Sequence, residues 1–178
     1  MQIKPQKNNV AFIDGQNLNL GTVKNENGSW HIDYAKFRQY LTDKYAVKDA
    51  YYYLGCIRPT EQDLYTKLQK SGFILKFRDH NELMITKKKG NVDSDIIFDV
   101  MRGLNDGDIE GKVILVSGDG DYHRMAKYLL KINKLGHILF PNGQFASGLY
   151  KNIGIDNRSA LDETHVRNKI EYVKKTSK

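Results

Sequence analysis

Short apolar runs separated by amphipathic segments recur along the chain. The first run, residues 10–13, is followed by Asp14 and Gly15, a pattern typical of a buried strand that ends in a turn. Asp33 precedes apolar residues at helical spacing, which predicts a helix capped by its carboxylate. The same criteria predict further strands near residues 50–57, 73–77, 113–116 and 137–140, and helices over 34–41, from Thr60 onward, over 93–104 and over 121–134.

Strands that alternate with long helices cannot be joined as hairpins, so they are expected to pair in parallel with helices on both faces. The sequence therefore predicts an α/β protein: a three-layer α/β/α sandwich with a mostly parallel sheet of about five strands and a Rossmann-like topology. Residues 82–89 interrupt the alternation, and we expect an extended excursion or hairpin there.

Length and composition indicate one globular domain. The 178 residues are 40% hydrophobic and 28% charged, which supplies enough apolar material for a core. Cys56 is the only cysteine, and no apolar stretch is long enough for a membrane span or a signal peptide, so we expect a cytoplasmic protein without membrane association. We divide the chain into an N-terminal extension (1–9), the domain itself (10–160) and a basic C-terminal tail (161–178).

The charge balance favours an anionic partner. Lys and Arg number 28 against 21 Asp and Glu, a formal charge of +7, and binding of cationic side chains to phosphates releases counterions. Candidate contacts to a nucleic-acid backbone are Lys87, Lys88, Lys89 and Arg124, although a lysine run is also typical of a solvated edge.

Acidic residues collect where the predicted strands end. Asp14 follows the first strand, and Asp119 and Asp121 lie in the segment SGDGD after the strand at 113–116. Asp93 opens a predicted helix, and at 100° per residue its side chain falls on the core-facing side, whereas Asp95 lies almost opposite. Ligands of open parallel sheets bind beyond the carboxyl ends of the strands, so we expect Asp14, Asp93, Asp119 and Asp121 to meet there.

Several carboxylates brought together repel one another unless a cation lies between them. Oxygen ligands without a cluster of Cys or His favour Mg²⁺ or Mn²⁺ over Zn²⁺, and Mg²⁺ in proteins often binds substrate phosphate as well. The sequence thus indicates metal-dependent phosphodiester chemistry. Each acid alone has a structural alternative: Asp14 as part of a turn, and Asp93 or Asp121 as a helix cap. Their convergence favours the metal site.

Three segments resemble the NYN domain, a family that includes the LabA-like proteins and belongs to the PIN-like nuclease superfamily. They are FIDGQNLNL at 12–20, KKGNVDSDIIFDVM at 88–101 and LVSGDGDYHRM at 115–125, and the resemblance covers roughly residues 10–140. It implies a PIN-like fold, an acidic Mg²⁺ or Mn²⁺ site and RNA, single-stranded or structured, as substrate. The residues that match the family's acidic positions and their neighbours are Asp14 with Asn17, Asp93, Asp99, and Ser117, Asp119 and Asp121 of the S-G-D-x-D motif.

The leading hypothesis is a metal-dependent endoribonuclease in which Asp14, Asp93, Asp119 and Asp121 are both catalytic residues and metal ligands, with Asn17, Asp99 and Ser117 in second rank. An alternative is an RNA- or protein-binding module of the same fold without useful turnover. A phosphatase of the haloacid dehalogenase type fits less well, because Gln16 stands where that type places a second acid. The sequence leaves a homodimer open.

Overall fold

The computed structural model describes residues 8–23, 29–78 and 92–174. The strands are β1 (Asn9–Asp14), β2 (Val47–Leu54), β3 (Ile74–Phe77), β4 (Val113–Val116), β5 (Leu135–Phe140) and β6 (Arg158–Ala160). The helices are α1 (Gly15–Thr22), α2 (Tyr34–Tyr45), α3 (Gln62–Lys70), α4 (Asp93–Asn105), α5 (His123–Lys131) and α6 (Thr164–Ile170). The excursion expected at 82–89 lies outside the described residues.

The six strands form one parallel sheet in the order β3-β2-β1-β4-β5-β6. The predicted α/β architecture is confirmed, with six strands rather than about five. The additional strand, β6, is only three residues long and pairs with β5, so it is too short to show a hydrophobic period. The chain runs from β1 outward to β3 and then returns to the other side of β1 to form β4. The order of the strands therefore reverses between β1 and β4, and folds of this kind bind their ligands at such a point.

Alternate residues of the central strand β1 pack into two separate hydrophobic cores, one on each face of the sheet. Val10 and Phe12 of β1 pack on the side covered by α4 and α5, whereas Ala11 and Ile13 pack on the side covered by α1, α2, α3 and α6. All six residues of β1 are buried. The sheet is therefore the middle layer of three, as the alternation of strands and helices predicted.

Helix α1 starts directly at the end of β1, in a segment for which the sequence predicted only a turn. Asp14 caps it by accepting a hydrogen bond from the backbone amide of Asn17 at 2.9 Å. Gly15 permits the close approach of α1 to β2, since a Cβ there would lie 2.6 Å from the carbonyl oxygen of Tyr53. The chain thus turns into a helix immediately after the first acid.

The starts of two helices also differ from the sequence expectation. Helix α3 starts at Gln62 rather than at Thr60, because a short 3-10 turn (Pro59–Glu61) comes before it. The helix expected from Asp121 begins instead as a 3-10 turn (Gly120–Tyr122), which continues into α5.

Helix α6 falls in the segment that the sequence assigned to a basic tail. Its residues Val166 and Ile170 are buried in the core beside α2. The carbonyl of Ile170 accepts a hydrogen bond from the amide of Asp33 at 2.8 Å, which ties α6 to the start of α2. Of the helices in the described ranges, none combines the length and apolar character that crossing a membrane requires.

Candidate metal centre

Asp14 lies at the carboxyl end of β1, beside the point between β1 and β4 where the strand order reverses. Its Oδ1 accepts from the amide of Asn17, and its Oδ2 lies 3.1 Å from the hydroxyl of Tyr122. Burial raises the pKa of the Asp14 carboxyl above its usual range, and the two hydrogen bonds only partly oppose this. The first strand therefore ends in a carboxylate that is costly to ionise.

Asp93 is the first residue of α4, and its side chain is buried. The cap of the helix is Val92, with no side-chain hydrogen bond, so Asp93 does not serve the helix as an N-cap. Instead its Oδ1 accepts from the hydroxyl of Tyr122 at 2.6 Å. Asp95 is half-exposed and lies 4.0 Å from Arg78, in agreement with the helical-wheel prediction that Asp93, not Asp95, faces inward.

The loop after β4 supplies the other two acids. The Oγ of Ser117 accepts from the amide of Asp119 at 3.1 Å, and Oδ1 of Asp119 accepts from the amide of Asp121 at 3.1 Å. These two bonds shape the turn and leave the second carboxylate oxygen of Asp119 for other ligands. Ser117 is fully buried, so its role here is to hold the loop.

Three carboxylates meet at this edge. Asp93, Asp119 and Asp121 each offer an oxygen, and these oxygens all lie within 4.8 Å of one another. Charge repulsion raises the pKa of the exposed Asp121, with the larger contribution from Asp119 and a smaller one from Asp93. A cavity of about 230 Å³, lined in part by Asp14, Asp93 and Asp119, opens beside the group.

The donor set fits a hard divalent cation. All the ligands offered are carboxylate oxygens, which suit Mg²⁺ and Mn²⁺, and the raised pKa of Asp121 reflects repulsion that a cation would relieve. The geometry thus supports a divalent metal site made by Asp93, Asp119 and Asp121, with Asp14 alongside.

Asn17 connects the two loops that carry the acids. Its Oδ1 accepts from the amide of Gly118 at 2.9 Å, which joins the start of α1 to the loop after β4. This contact places Asn17 at the wall of the site, where the family resemblance also locates it.

Asp99 lies in a different set of contacts. It accepts from the hydroxyl of Tyr53 at 2.7 Å and lies 3.2 Å from a guanidinium nitrogen of Arg102 and 3.6 Å from the ammonium of Lys76. It lines a separate cavity with these residues and is absent from the group of three acids. These contacts are those of a structural ion pair.

The predicted nucleic-acid contacts are only partly within the described residues. Lys87, Lys88 and Lys89 lie outside them. Arg124 is exposed in the first turn of α5, just after the loop that carries Asp119 and Asp121.

Sequence reasoning missed two tyrosines at the site. Tyr122 is fully buried, and its hydroxyl contacts both Asp14 and Asp93. Tyr150, also fully buried, donates to the backbone carbonyl of Asp119. Tyr122 directly follows the acidic loop in the sequence, which was the available signal. Tyr150 lies in an irregular segment without a period, and only the fold brings it to the loop.

Comparison with known proteins identifies the family. The chain is similar in structure to a protein of unknown function from Vibrio parahaemolyticus RIMD 2210633, with a TM-score of 0.69 and 22% sequence identity, over 97% of this chain and 100% of that chain. At this identity the likeness shows the fold alone. No curated protein matches the chain. The profile of the NYN domain matches residues 9–152, a range that contains all the acids of the site. This chain belongs to the NYN domain family.

Proposed function

We propose that the protein is a metal-dependent endoribonuclease that hydrolyses RNA phosphodiester bonds with Mg²⁺ or Mn²⁺. The observation that carries the proposal is the meeting of Asp93, Asp119 and Asp121, with carboxylate oxygens within 4.8 Å of one another at the ligand-binding edge of the sheet. The NYN domain has a PIN-like nuclease fold, which supports the same chemistry.

The substrate is proposed from charge. A formal charge of +7 favours a polyanion, and exposed Arg124 lies close in sequence to the acidic loop. RNA rather than DNA is the substrate that the family resemblance implies. The products are expected to carry a 5′-phosphate and a 3′-hydroxyl.

Each acid has a distinct part in this proposal. Asp93, Asp119 and Asp121 would hold the cation, and Asp14 would complete the acidic wall of the cavity. When bound, a divalent cation activates water as a nucleophile and stabilises negative charge on phosphate oxygens. Tyr122 is a positioning residue, because its hydroxyl contacts Asp14 and Asp93 and is itself buried away from substrate.

The test is cleavage of end-labelled single-stranded and hairpin RNA in Mg²⁺, Mn²⁺ or EDTA. We compare the wild-type protein with Asp119→Asn and with Asp106→Asn, which removes the same charge from an exposed position. Loss of contacts around bound metals commonly costs 10–100-fold, so removal of a ligand should lower cleavage about 100-fold or more. Asp106→Asn should cut like the wild type.

Cleavage that needs Mg²⁺ or Mn²⁺ and disappears in Asp119→Asn would support the nuclease. Equal cleavage by all three proteins would indicate a contaminating enzyme. Absence of cleavage in either metal, combined with RNA binding that persists in EDTA, would replace the proposal with a binding module of the same fold.

A further inference from the structure

A second cavity lies against the acidic one. Its volume is about 340 Å³, and it shares Asn17 and Leu20 with the cavity that contains the acids. The remaining wall comes from α1, from the loop after β4 and from the segment that follows β5, namely Gly21, Gly118, Pro141, Asn142 and Phe145. A group bound here would be the immediate neighbour of a phosphate bound at the acids.

Two asparagine side chains give this cavity its polar character. The Oδ1 of Asn17 accepts from the amide of Gly118 at 2.9 Å, and the Oδ1 of Asn142 accepts from the amide of Gln144 at 2.9 Å. In each case the internal bond fixes which end of the carboxamide is the acceptor. Among the described residues neither Nδ2 has an acceptor, although Asn142 is only 5% exposed. The cavity is thus lined by two carboxamides whose N–H groups are left to donate.

Apolar side chains form the rest of the lining. Phe145 is 60% exposed and Leu20 is 45% exposed, and both border the same cavity as buried Pro141. An exposed aromatic ring beside a site for phosphates is the arrangement on which single-stranded nucleic acids stack their bases. The segment that carries Phe145 is tied to the loop after β4, because the amide of Ser147 donates to the carbonyl of Gly118 at 2.9 Å.

We propose that this cavity binds one nucleobase of the RNA strand, stacked on Phe145, and that it selects a base with a ring carbonyl. Carbonyl oxygens such as uracil O4 and guanine O6 accept from N–H donors, whereas adenine presents an amino donor at the corresponding edge. Asn17 and Asn142 therefore favour uracil or guanine over adenine. The inference rests on the proposed function, since it takes the base to belong to the strand held at the acids.

The test measures binding separately from cleavage. Fluorescence anisotropy with short labelled oligouridylate and oligoadenylate is recorded in EDTA for the wild-type protein and three variants. Phe145→Ala removes the stacking ring. Phe98→Ala is the matched control, because Phe98 is 63% exposed on α4 and does not line either cavity. Asn142→Asp keeps an oxygen that accepts from the Gln144 amide but replaces the N–H donors. Circular dichroism verifies that each variant is folded.

We expect the wild-type protein to bind oligouridylate more tightly than oligoadenylate. Phe145→Ala should weaken oligouridylate binding about fivefold or more, the lower end of what one stacked base contributes, and Phe98→Ala should not. Asn142→Asp should reduce the ratio of the two affinities about fivefold or more. The ratio is informative because repulsion between the new charge and phosphate affects both oligonucleotides alike.

Any one of three results would overturn the base pocket: equal affinity of Phe145→Ala and Phe98→Ala, an unchanged affinity ratio in Asn142→Asp, or no preference in the wild type. Failure of the nuclease proposal looks different. Selective binding that depends on Phe145 and Asn142, with no cleavage in Mg²⁺ or Mn²⁺, would retain the pocket and remove the nuclease. Metal-dependent cleavage without selective binding through Phe145 and Asn142 would retain the nuclease and remove the base pocket.

Discussion

The phenolic oxygen of Tyr122 lies 2.6 Å from Oδ1 of Asp93, and the ring that carries it is fully buried. The same oxygen lies 3.1 Å from Oδ2 of Asp14, so one hydroxyl contacts both buried acids of the site. Burial and the two neighbouring carboxylates raise the pKa of Tyr122 far above its usual range, which keeps the hydroxyl protonated. Tyr122 thereby links the end of β1 to the first turn of α4.

We expect Tyr122→Phe to destabilise the protein by about 1–3 kcal/mol at pH 7, because it leaves two buried carboxyl groups without their shared donor. The ring and its packing are retained, so the change isolates the hydroxyl. Urea unfolding monitored by circular dichroism measures the loss. Tyr128→Phe removes a hydroxyl from an exposed ring on α5 and is the matched control. Equal stability of the two variants would mean that the contact of Tyr122 with Asp93 has no net effect.

Asp14→Asn should make the folded protein more stable at neutral pH, by about 1 kcal/mol or about 2–4 °C in Tm. Burial raises the pKa of Asp14, so the folded state disfavours the ionised carboxylate. Asparagine retains the oxygen that caps α1 and carries no charge.

The sign of this effect depends on pH. Below the ordinary pKa of aspartate both folded and unfolded chains carry a protonated Asp14, so the substitution should change little. The wild-type protein loses relative stability as pH rises through the raised pKa, and the advantage of Asp14→Asn should therefore grow between pH 4 and pH 7. Urea unfolding at the two pH values measures the difference. An Asp14→Asn protein that is less stable at pH 7 would contradict the expectation.

The two central strands, β1 and β4, were predictable from the sequence because each is a short apolar run followed by Asp and Gly. The strand predicted at 113–116 coincides with β4, and the first strand differs from β1 by one residue at either end. Helix α1 was missed because its eight residues are mostly polar and carry almost no apolar face. Its start depends on the cap by Asp14, which serves the site as well.

The acids of the site were found because parallel strands all end at one edge, a constraint that topology imposes before any contact is known. The position of Asp93 on the core-facing side of its predicted helix identified a third segment of the site, beside the end of β1 and the loop after β4. Tyr122 and Tyr150 were not identified, since their hydrogen bonds join segments far apart in the chain. Asn142 was not identified because the cavity that it lines is assembled from three separate segments. The segment after β5 consists of turns and short 3-10 pieces, which have no period for a sequence to display.

A saturating concentration of Mn²⁺ or Mg²⁺ should raise the Tm of the wild-type protein. A ligand present at 100 times its Kd stabilises by about 2.7 kcal/mol, which corresponds to about 5–10 °C in a chain of this size. Asp119→Asn removes one of three carboxylates and should lose most of the shift, whereas exposed Asp106→Asn should retain it. Differential scanning fluorimetry across a metal titration measures the effect. The same shift in all three proteins would place the binding elsewhere.

Acid should destabilise the protein through His137 on β5. Burial, with the charge of Lys44, lowers the pKa of His137 to about 4, and its Nε2 lies 2.9 Å from the hydroxyl of Ser159. The unfolded histidine binds a proton below about pH 6.5 while the folded one resists, so stability is lost as pH falls from about 6.5 towards 4.

Between pH 7 and pH 5.5 this loss should amount to about 1 kcal/mol. His137→Gln keeps a side chain able to bond Ser159 and should reduce the dependence on pH by that amount. Urea unfolding at both pH values measures it, with His31→Gln at an exposed position as the control. If the wild type and His137→Gln show the same dependence on pH, the acid sensitivity has another source.

Asp99→Asn should separate structural from catalytic acids. The family resemblance places Asp99 among the acidic positions, but here Lys76, Arg102 and the hydroxyl of Tyr53 surround it. Loss of its charge should cost about 1 kcal/mol in unfolding free energy, since ion pairs with partly exposed partners such as Lys76 and Arg102 are individually weak. Cleavage of RNA should stay within about twofold of the wild type. Asp93→Asn should lower cleavage about 100-fold. The two variants are compared in the same RNA assay and by the Tm shift in Mn²⁺. Loss of both cleavage and the Mn²⁺ shift in Asp99→Asn would show that Asp99 turns towards the metal centre when an ion binds, because its present contacts could not produce that result.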